Sequence, residues 1–311
     1  MNTPRLSIGL PVFNGERYLE ESITAIVSQS FTDFELIISD NASTDRTQQI
    51  CLSCAARDLR VRYYRNERNI GGGNNFNRTF LLSRGEYFQW STYDDKCGPE
   101  YLARCIAILD EHPEVVLAFS RVMEIDADGN HIGIENTHEA RSEEPYERFR
   151  TLTSLEHSCQ AIYGVIRSDV LRKTLLWLNH TDSDRTLLAE LSLRGQFYQI
   201  QDPLFFRRNY SGNSIRRYPD WRERMEWFEP AFRERLVCPH WAQLLGYCRI
   251  IIRTPLSRYQ QFRCFVRLAE WLTVDRRVKY MAKDLVLAGL WLGRSLLRPK
   301  ARMRPLGEEF L

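Results

Sequence analysis

The chain has 311 residues, 43% hydrophobic and 27% charged, an ordinary globular composition that argues against a disordered polypeptide or a membrane-spanning bundle. Its length suits one large domain with an appendage. The formal net charge of +3 conceals a split: residues 216–311 hold 20 basic and 10 acidic side chains, residues 1–215 hold 23 and 30. An acidic body with a basic tail fits an anionic surface met at one end and speaks against a nucleic-acid partner.

Residues 6–13 read as a strand closed by Asn14-Gly15, and residues 16–29 as a helix with Leu19, Ile23, Ile26 and Val27 on one face. Residues 34–39 form a second strand, after which Ser43 or Thr44 can cap a helix. Residues 61–64 form a third, ending in the glycine-rich loop Asn69-Ile70-Gly71-Gly72-Gly73-Asn74-Asn75. A helix over 75–83 leads to a strand over 87–90, followed by a helix over 99–111 and a strand over 115–119. Strands separated by helices of this length pair in parallel through right-handed crossovers, giving an α/β, Rossmann-like sheet with flanking helices. Ligands of such sheets collect at the carboxyl ends of the strands. Asn14, Asp40, Gly71 to Gly73 and Asp94-Asp95 all fall on that edge.

The pattern changes after Ser120. Residues 126–130, Asp-Ala-Asp-Gly-Asn, read as a hairpin turn, 137–150 as a polar loop with a short helix, and 161–166 as a strand. Residues 184–194 read as a helix, and 197–200 and 204–207 as two further strands. Beyond Ser214 long helical patterns rich in Arg, Trp and Leu take over.

The adjacent acids Asp94 and Asp95 repel each other and resist desolvation unless a cation neutralises them. Mg2+ or Mn2+ carried in with a diphosphate suits such oxygen ligands, while a solvated turn ending a strand remains the plainer alternative. Cys51 and Cys54 form one C-x-x-C inside a helical pattern, without a second pair at zinc spacing, so buried thiols in a reducing cytoplasm are expected. The chain opens without a secretory signal and holds no run of about 20 apolar residues that a spanning helix needs.

Pro11-Val12-Phe13-Asn14-Gly15-Glu16, Ser39-Asp40-Asn41-Ala42-Ser43-Thr44-Asp45, Asn69-Ile70-Gly71, Gly85-Glu86-Tyr87 and Asp94-Asp95 occur in that order. With the run from Asp184 to Leu191 and on to Gly195, they resemble family 2 of the inverting nucleotide-sugar glycosyltransferases, of the bacterial surface-glycan type. The resemblance covers roughly residues 5–214 and implies a GT-A fold. It also implies a UDP- or dTDP-sugar donor and a glycan or lipid-linked glycan acceptor. It assigns Pro11, Val12, Phe13, Asn14, Glu16, Asp40, Asn69, Gly71 and Asp94 to the donor, with Asp40 accepting from the pyrimidine N3–H and Asp94 on ribose or shared with the metal. Asp95 becomes the metal ligand.

Asp184, directly before the leucine-rich run, matches the general base, and Asp182 is the alternative; either acid could instead be a helix cap. Two positions depart from the family pattern. Tyr93 stands where the first acid of the metal motif is common, and Tyr210 where relatives carry a histidine, leaving Arg207 or Arg208 to supply charge to the diphosphate. A catalytically silent nucleotide-sugar binder is the competing reading. A nucleotidyltransferase would need a basic glycine-rich loop after the first strand, and Asn14-Gly15-Glu16 does not fit.

The expected division is a catalytic domain over 1–214, with a nucleotide part (1–120) and an acceptor part (121–214), and a helical region over 215–311. Five of the seven tryptophans lie from Trp221 onward. Trp271, Val278, Met281, Leu290, Trp291 and Leu292 alternate with Arg276, Arg277, Lys279, Lys283, Arg294, Arg298 and Lys300. Basic amphipathic helices of this kind suit an anionic membrane surface, and equally a subdomain packed on the body or on a second subunit.

Overall fold

The computed structural model describes residues 3–178, 180–212, 223, 225, 228, 238–274 and 277–297, the side chains of the last stretch to residue 289. The expectations placed on Trp221, Arg276, Arg298 and Lys300, and on the side chains of Leu290, Trp291, Leu292 and Arg294, lie outside the described residues.

Strands β1 (Leu6–Val12), β2 (Phe34–Asp40), β3 (Val61–Arg65) and β4 (Tyr87–Trp90) pair in parallel, as the alternating pattern predicts. Strands β1, β2 and β4 are buried along their whole length, the reason they read as near-continuous apolar runs. The sheet continues with β5 (Lys96–Cys97), β6 (Val115–Ile125), β7 (His131–Ile134), β8 (Val165–Arg167) and β9 (Gln196–Arg208). The order is β3-β2-β1-β4-β8-β6-β9-β5, with β7 beside β6. Here parallel pairing gives way: β8 runs antiparallel to both β4 and β6, and β5 antiparallel to β9.

The helices are α1 (Leu19–Val27), α2 (Thr47–Arg57), α3 (Gly72–Leu81), α4 (Tyr101–Glu111), α5 (Pro145–Ser154), α6 (Ser168–Leu171) and α7 (Ser183–Arg194), then α8 (Pro239–Arg253), α9 (Arg258–Thr273) and α10 (Arg277–Leu297). Ile8, Leu10, Ile38, Ile23, Cys51 and Leu102 bind one sheet face to α1, α2 and α4. Phe88, Trp90, Phe80 and Leu188 bind the other to α3 and α7. Gly9 allows that second contact, since a Cβ there would fall 2.4 Å from the Thr79 hydroxyl of α3. Phe149, Leu193, Tyr247, Leu268 and Trp271 form a third cluster that fastens α8 and α9 onto α5 and α7. The tail's inner faces therefore belong to the body.

Several local expectations change. Neither Ser43 nor Thr44 caps α2, which starts at Thr47; Asp45 Oδ1 accepts from Thr47 N, and the Ser43 hydroxyl accepts from Asn14 N at 2.9 Å. Helix α3 starts at Gly72, earlier than Asn75, because Gly71 takes φ 87° and turns the chain directly into the helix. Residues 161–166 are not one strand: Cys159–Tyr163 form a 3-10 turn and only Val165–Arg167 pair. The two strands expected over 197–207 are one, because register shifts opposite Ser120 and Arg121 absorb the residues before Pro203. All eight cysteines are free, and burial pushes the Cys51 and Cys54 thiols up, so this C-x-x-C is structural. Among the described residues no helix is long and apolar enough to cross a membrane.

Candidate functional site

A cleft of about 320 Å³ opens where β1, β2 and β4 end, and α7 and the end of β9 close its far side. Pro11, Val12 and Phe13 form one wall with Asn41, Asn69 and Gly72. Asn14 turns the chain with φ 53° and stands behind that wall, its Oδ1 accepting from Thr44 N at 2.8 Å. Glu16 is also outside, paired with Arg46 at 3.1 Å. These two expected donor contacts instead tie the β1–α1 turn to the β2–α2 loop.

Asp40 likewise does not reach the cleft surface. It is fully buried, with Oδ1 accepting from Ser43 N at 2.8 Å and Oδ2 from the Tyr63 hydroxyl at 2.7 Å and Arg65 at 2.6 Å. A carboxylate so fully engaged shapes the wall from beneath, and its neighbour Asn41 presents the surface. Gly71 also stands outside, while Gly72 lines the cleft.

The wall is fastened by asparagines that the sequence reading passed over in favour of the glycines. Asn41 Nδ2 donates to Asn69 Oδ1 at 2.8 Å, and its Oδ1 accepts from Ile70 N and Asn66 Nδ2. Asn75 Oδ1 accepts from Asn66 Nδ2 and from the Ser39 hydroxyl, and its Nδ2 donates to Ser39 O. The visible signal was asparagine at each strand end that also carries a turn. Linking them required knowing that β2, β3 and α3 meet.

Asp94 and Asp95 lie on the cleft floor. Asp95 Oδ1 accepts from Arg208 N at 2.8 Å and Oδ2 from the Thr92 hydroxyl at 2.7 Å, and the residue is 7% exposed. Burial, then the charge of Asp94, pushes its carboxyl up to about 7. Burial raises Asp94 as well, against the opposing hydrogen bond from Tyr210. Tyr210, at the position where a histidine was looked for, donates its hydroxyl to Asp94 Oδ2 at 3.2 Å and meets Tyr18 edge-on. Tyr93 packs over Gly15, where a Cβ would come within 2.9 Å of its ring. Arg208 is buried, donating to Asp94 O, Ala127 O and Glu21, and so holds the acidic loop. Arg207 lines the cleft with its charge shared by Glu135.

Asp184 joins the same cleft from the first turn of α7. Burial, then the charge of Asp182, raises its carboxyl to about 6, while Arg185 and the Cys159 thiol work against the rise. Asp182 precedes the helix in a left-handed conformation, φ 62°, makes no side-chain cap bond and is exposed at the cleft. The cap alternative for Asp184 fails too, since Oδ1 accepts only from the adjacent Arg185 N. Burial, then the charges of Asp95, Asp184 and Asp94, pushes the Tyr163 phenol well up. Trp177 stacks on Phe76 at 4.4 Å beside them. Among the described residues, Trp177 Nε1, Ser183 Oγ and Gln160 Oε1 are buried without a hydrogen-bond partner. No sequence motif pointed to Tyr163, Trp177 or Gln160.

No group of three or more His, Cys, Asp or Glu suited to a metal occurs among the described residues. Asp94 and Asp95 nevertheless fit Mg2+ or Mn2+: burial raises the proton affinity of both carboxylates, the charge of Asp94 raises that of Asp95 further, and a cation is what offsets them. Mg2+ commonly takes one or two carboxylates and completes its shell with phosphate oxygens and water.

The family model described as glycosyl transferase family 2 matches residues 7–175. An uncharacterized glycosyltransferase of Methanocaldococcus jannaschii is 32% identical over 132 residues, 42% of this chain and 46% of its own length. The chain thus spans less than half of that curated relative. S. aureus TarS 1-349, solved with UDP, matches with a TM-score of 0.63 and 17% identity over 88% of this chain and 73% of that one. The mannosyltransferase PcManGT from Pyrobaculum calidifontis, solved with GDP-Man and Mn2+, matches with a TM-score of 0.51 and 14% identity over 93% and 87%. At these identities the likeness is one of fold, and the fold is the GT-A arrangement expected from the sequence.

Proposed function

The chain belongs to glycosyl transferase family 2, and from that premise we propose that it transfers a sugar, with inversion, from a UDP- or dTDP-sugar to a hydroxyl of a glycan or lipid-linked glycan. The observation that carries this reading is the convergence of Asp94, Asp95 and Asp184 on one cleft whose opposite wall is the asparagine-fastened loop. Nucleotide-sugar complexes of the structural neighbours, UDP-GlcNAc with TarS and GDP-Man with PcManGT, support the donor class.

The pyrimidine lies against Phe13, Asn41 and Asn69, whose surface the buried Asp40 shapes. Asp184 takes the proton of the acceptor hydroxyl as that oxygen bonds to the anomeric carbon. The bond from that carbon to the diphosphate breaks on the opposite face and its electron pair leaves with the diphosphate, which inverts the centre. A carboxyl near 6 is ionised at neutral pH yet basic enough for this task. Asp182, exposed two residues earlier, is placed to bind the acceptor. Mg2+ or Mn2+ held by Asp95 and Asp94 would neutralise the charge growing on the departing diphosphate. Arg207 adds positive charge from the β9 side. Catalysis belongs to residues 1–214 and acceptor approach to 215–311, at the inner face of an anionic membrane.

The test is transfer and hydrolysis of a panel of UDP- and dTDP-hexoses and deoxyhexoses, with and without EDTA. Asp184→Asn should lower turnover about 10²–10⁴-fold while UDP binding survives. Full turnover in that variant would remove the base assignment. One observation favours a second reading, a silent nucleotide-sugar binder: the Tyr210 hydroxyl engages Asp94, a metal ligand in the first reading. Donor binding without turnover across the whole panel would select it.

A further inference from the structure

Ten of the large apolar side chains that are substantially exposed in the described residues lie between Leu245 and Val286, on α8, α9 and α10. The three helices pack on one another, and α8 and α9 also pack on α7 and α5. Turned away from those contacts are Leu245 (64% exposed), Ile252 (66%), Phe262 (63%), Val266 and Leu285. Patches this apolar on a folded chain mark an interaction surface.

The charges around them select the partner. Among the described residues of these helices the most exposed charged residues are all cations: Arg249, Arg253, Arg258, Lys279 and Lys283. The acids there are already paired, Glu270 (side chain 42% exposed) with Arg267 and Arg150, and Asp284, buried, with His240. A second copy of this surface would bring like charges together without an acid to pair them. A bilayer of anionic lipid offers apolar depth and negative headgroups in one plane.

We propose that the outer faces of α8, α9 and α10 dock the protein on an anionic lipid bilayer. The inner face of α8 supports the reason: Gly246 packs against Thr186 of α7, the helix whose first turn carries Asp184. The docked face is thus one helix thickness, about 10 Å, from the helix that bears the proposed base. A lipid-linked acceptor held in the bilayer would reach the cleft without leaving its membrane. This deepens the transferase reading and rests on it for the acceptor alone.

The experiment is co-sedimentation of the full chain with phosphatidylcholine–phosphatidylglycerol vesicles and with pure phosphatidylcholine vesicles, alongside its solution mass. The wild type should sediment with the anionic vesicles, be released by raised salt, and lose about tenfold or more in partitioning in Ile252→Glu with Phe262→Glu. Arg249→Gln with Arg253→Gln, which removes charge and no apolar packing, should weaken anionic binding severalfold at unchanged UDP affinity. A wild type that stays in the supernatant overturns the proposal, as does a dimer that these substitutions split. Sedimentation in a protein that turns over no donor keeps the surface and removes the transferase.

Discussion

The two ends of the cleft treat polar groups in opposite ways. At the nucleoside end, Asp40 is matched by three donors, and Asn41, Asn66, Asn69 and Asn75 satisfy one another and the loops around them. At the other end, Asp95 is buried and Asp94 and Asp184 half-buried, all three with raised proton affinity, and Trp177 Nε1, Ser183 Oγ and Gln160 Oε1 have no described partner. A finished network can hold its shape before a ligand comes. Groups whose neighbouring arginines do not offset their desolvation raise the energy of the empty protein, and a ligand that supplies cations and hydroxyls recovers that energy on binding. One end is a mould and the other a vacancy in charge.

The largest expected effect tests the second end. The folded Asp95 carboxyl lies near 7, above the ordinary aspartate value of 3.8. A raised acid holds its proton longer in the folded state, so folding is favoured at low pH and stability falls as pH rises from about 4 to about 7. Three units correspond to about 4 kcal/mol at most, and the share left after coupling to Asp94 is about 2–4 kcal/mol. Asp95→Asn should therefore raise the melting temperature of the ligand-free protein at pH 8 and change it little at pH 4. The amide can keep its oxygen on Arg208 N and turn its NH2 to the Thr92 hydroxyl. His157 and His180, held neutral by burial, oppose the trend in wild type and variant alike, so the difference isolates the acid. Equal melting curves for the two proteins across this range would show that the floor carries no such strain.

How much was readable in advance follows the same division. Strands β1, β2 and β4 announce themselves because buried parallel strands are unbroken apolar runs, and the acids at their ends stand out against them. Asp94 and Asp95 stand out in this way, Asp184 through the family resemblance of the leucine-rich run it precedes, and the three share a cleft. Asp40, Asn14 and Glu16 belong to the same motifs, but which side of a loop faces the ligand depends on partners such as Arg65 and Arg46, distant in sequence or unmarked by any pattern. The 3-10 turn Cys159–Tyr163 resembled a strand because apolar composition alone cannot tell a short turn from a short strand. The joining of β9 across Pro203 depended on a bulge created by its neighbour β6.

The first end gives the intermediate effect. Asn75→Ala removes the acceptor of Ser39 Oγ and Asn66 Nδ2 and the donor to Ser39 O, all buried. Leaving such groups unmatched costs about 1–3 kcal/mol. A chemical-denaturation midpoint should fall accordingly, and the UDP affinity should fall with it because Asn41 and Asn69 lose their support. A variant as stable as the wild type that still binds UDP normally would mean that the network is ornamental to the wall.

The smallest effect lies where the two ends meet the metal question. Tyr210→Phe keeps the ring against Tyr18 and deletes only the hydroxyl that donates to Asp94 Oδ2. One such bond contributes about 1.5–3 kcal/mol when its acceptor is charged, so stability should drop by about that much or less. The informative readout is metal demand. A cation approaching Asp94 must first displace the phenol, and in the variant it need not. Half-saturating Mn2+ for donor turnover at pH 8, where the acids are ionised, should fall about two- to fivefold, the equivalent of about 0.4–1 kcal/mol. A rise instead would make Tyr210 a helper of the donor complex, doing with a hydroxyl what the relatives' histidine does, and Tyr210→His would then restore what Tyr210→Phe loses.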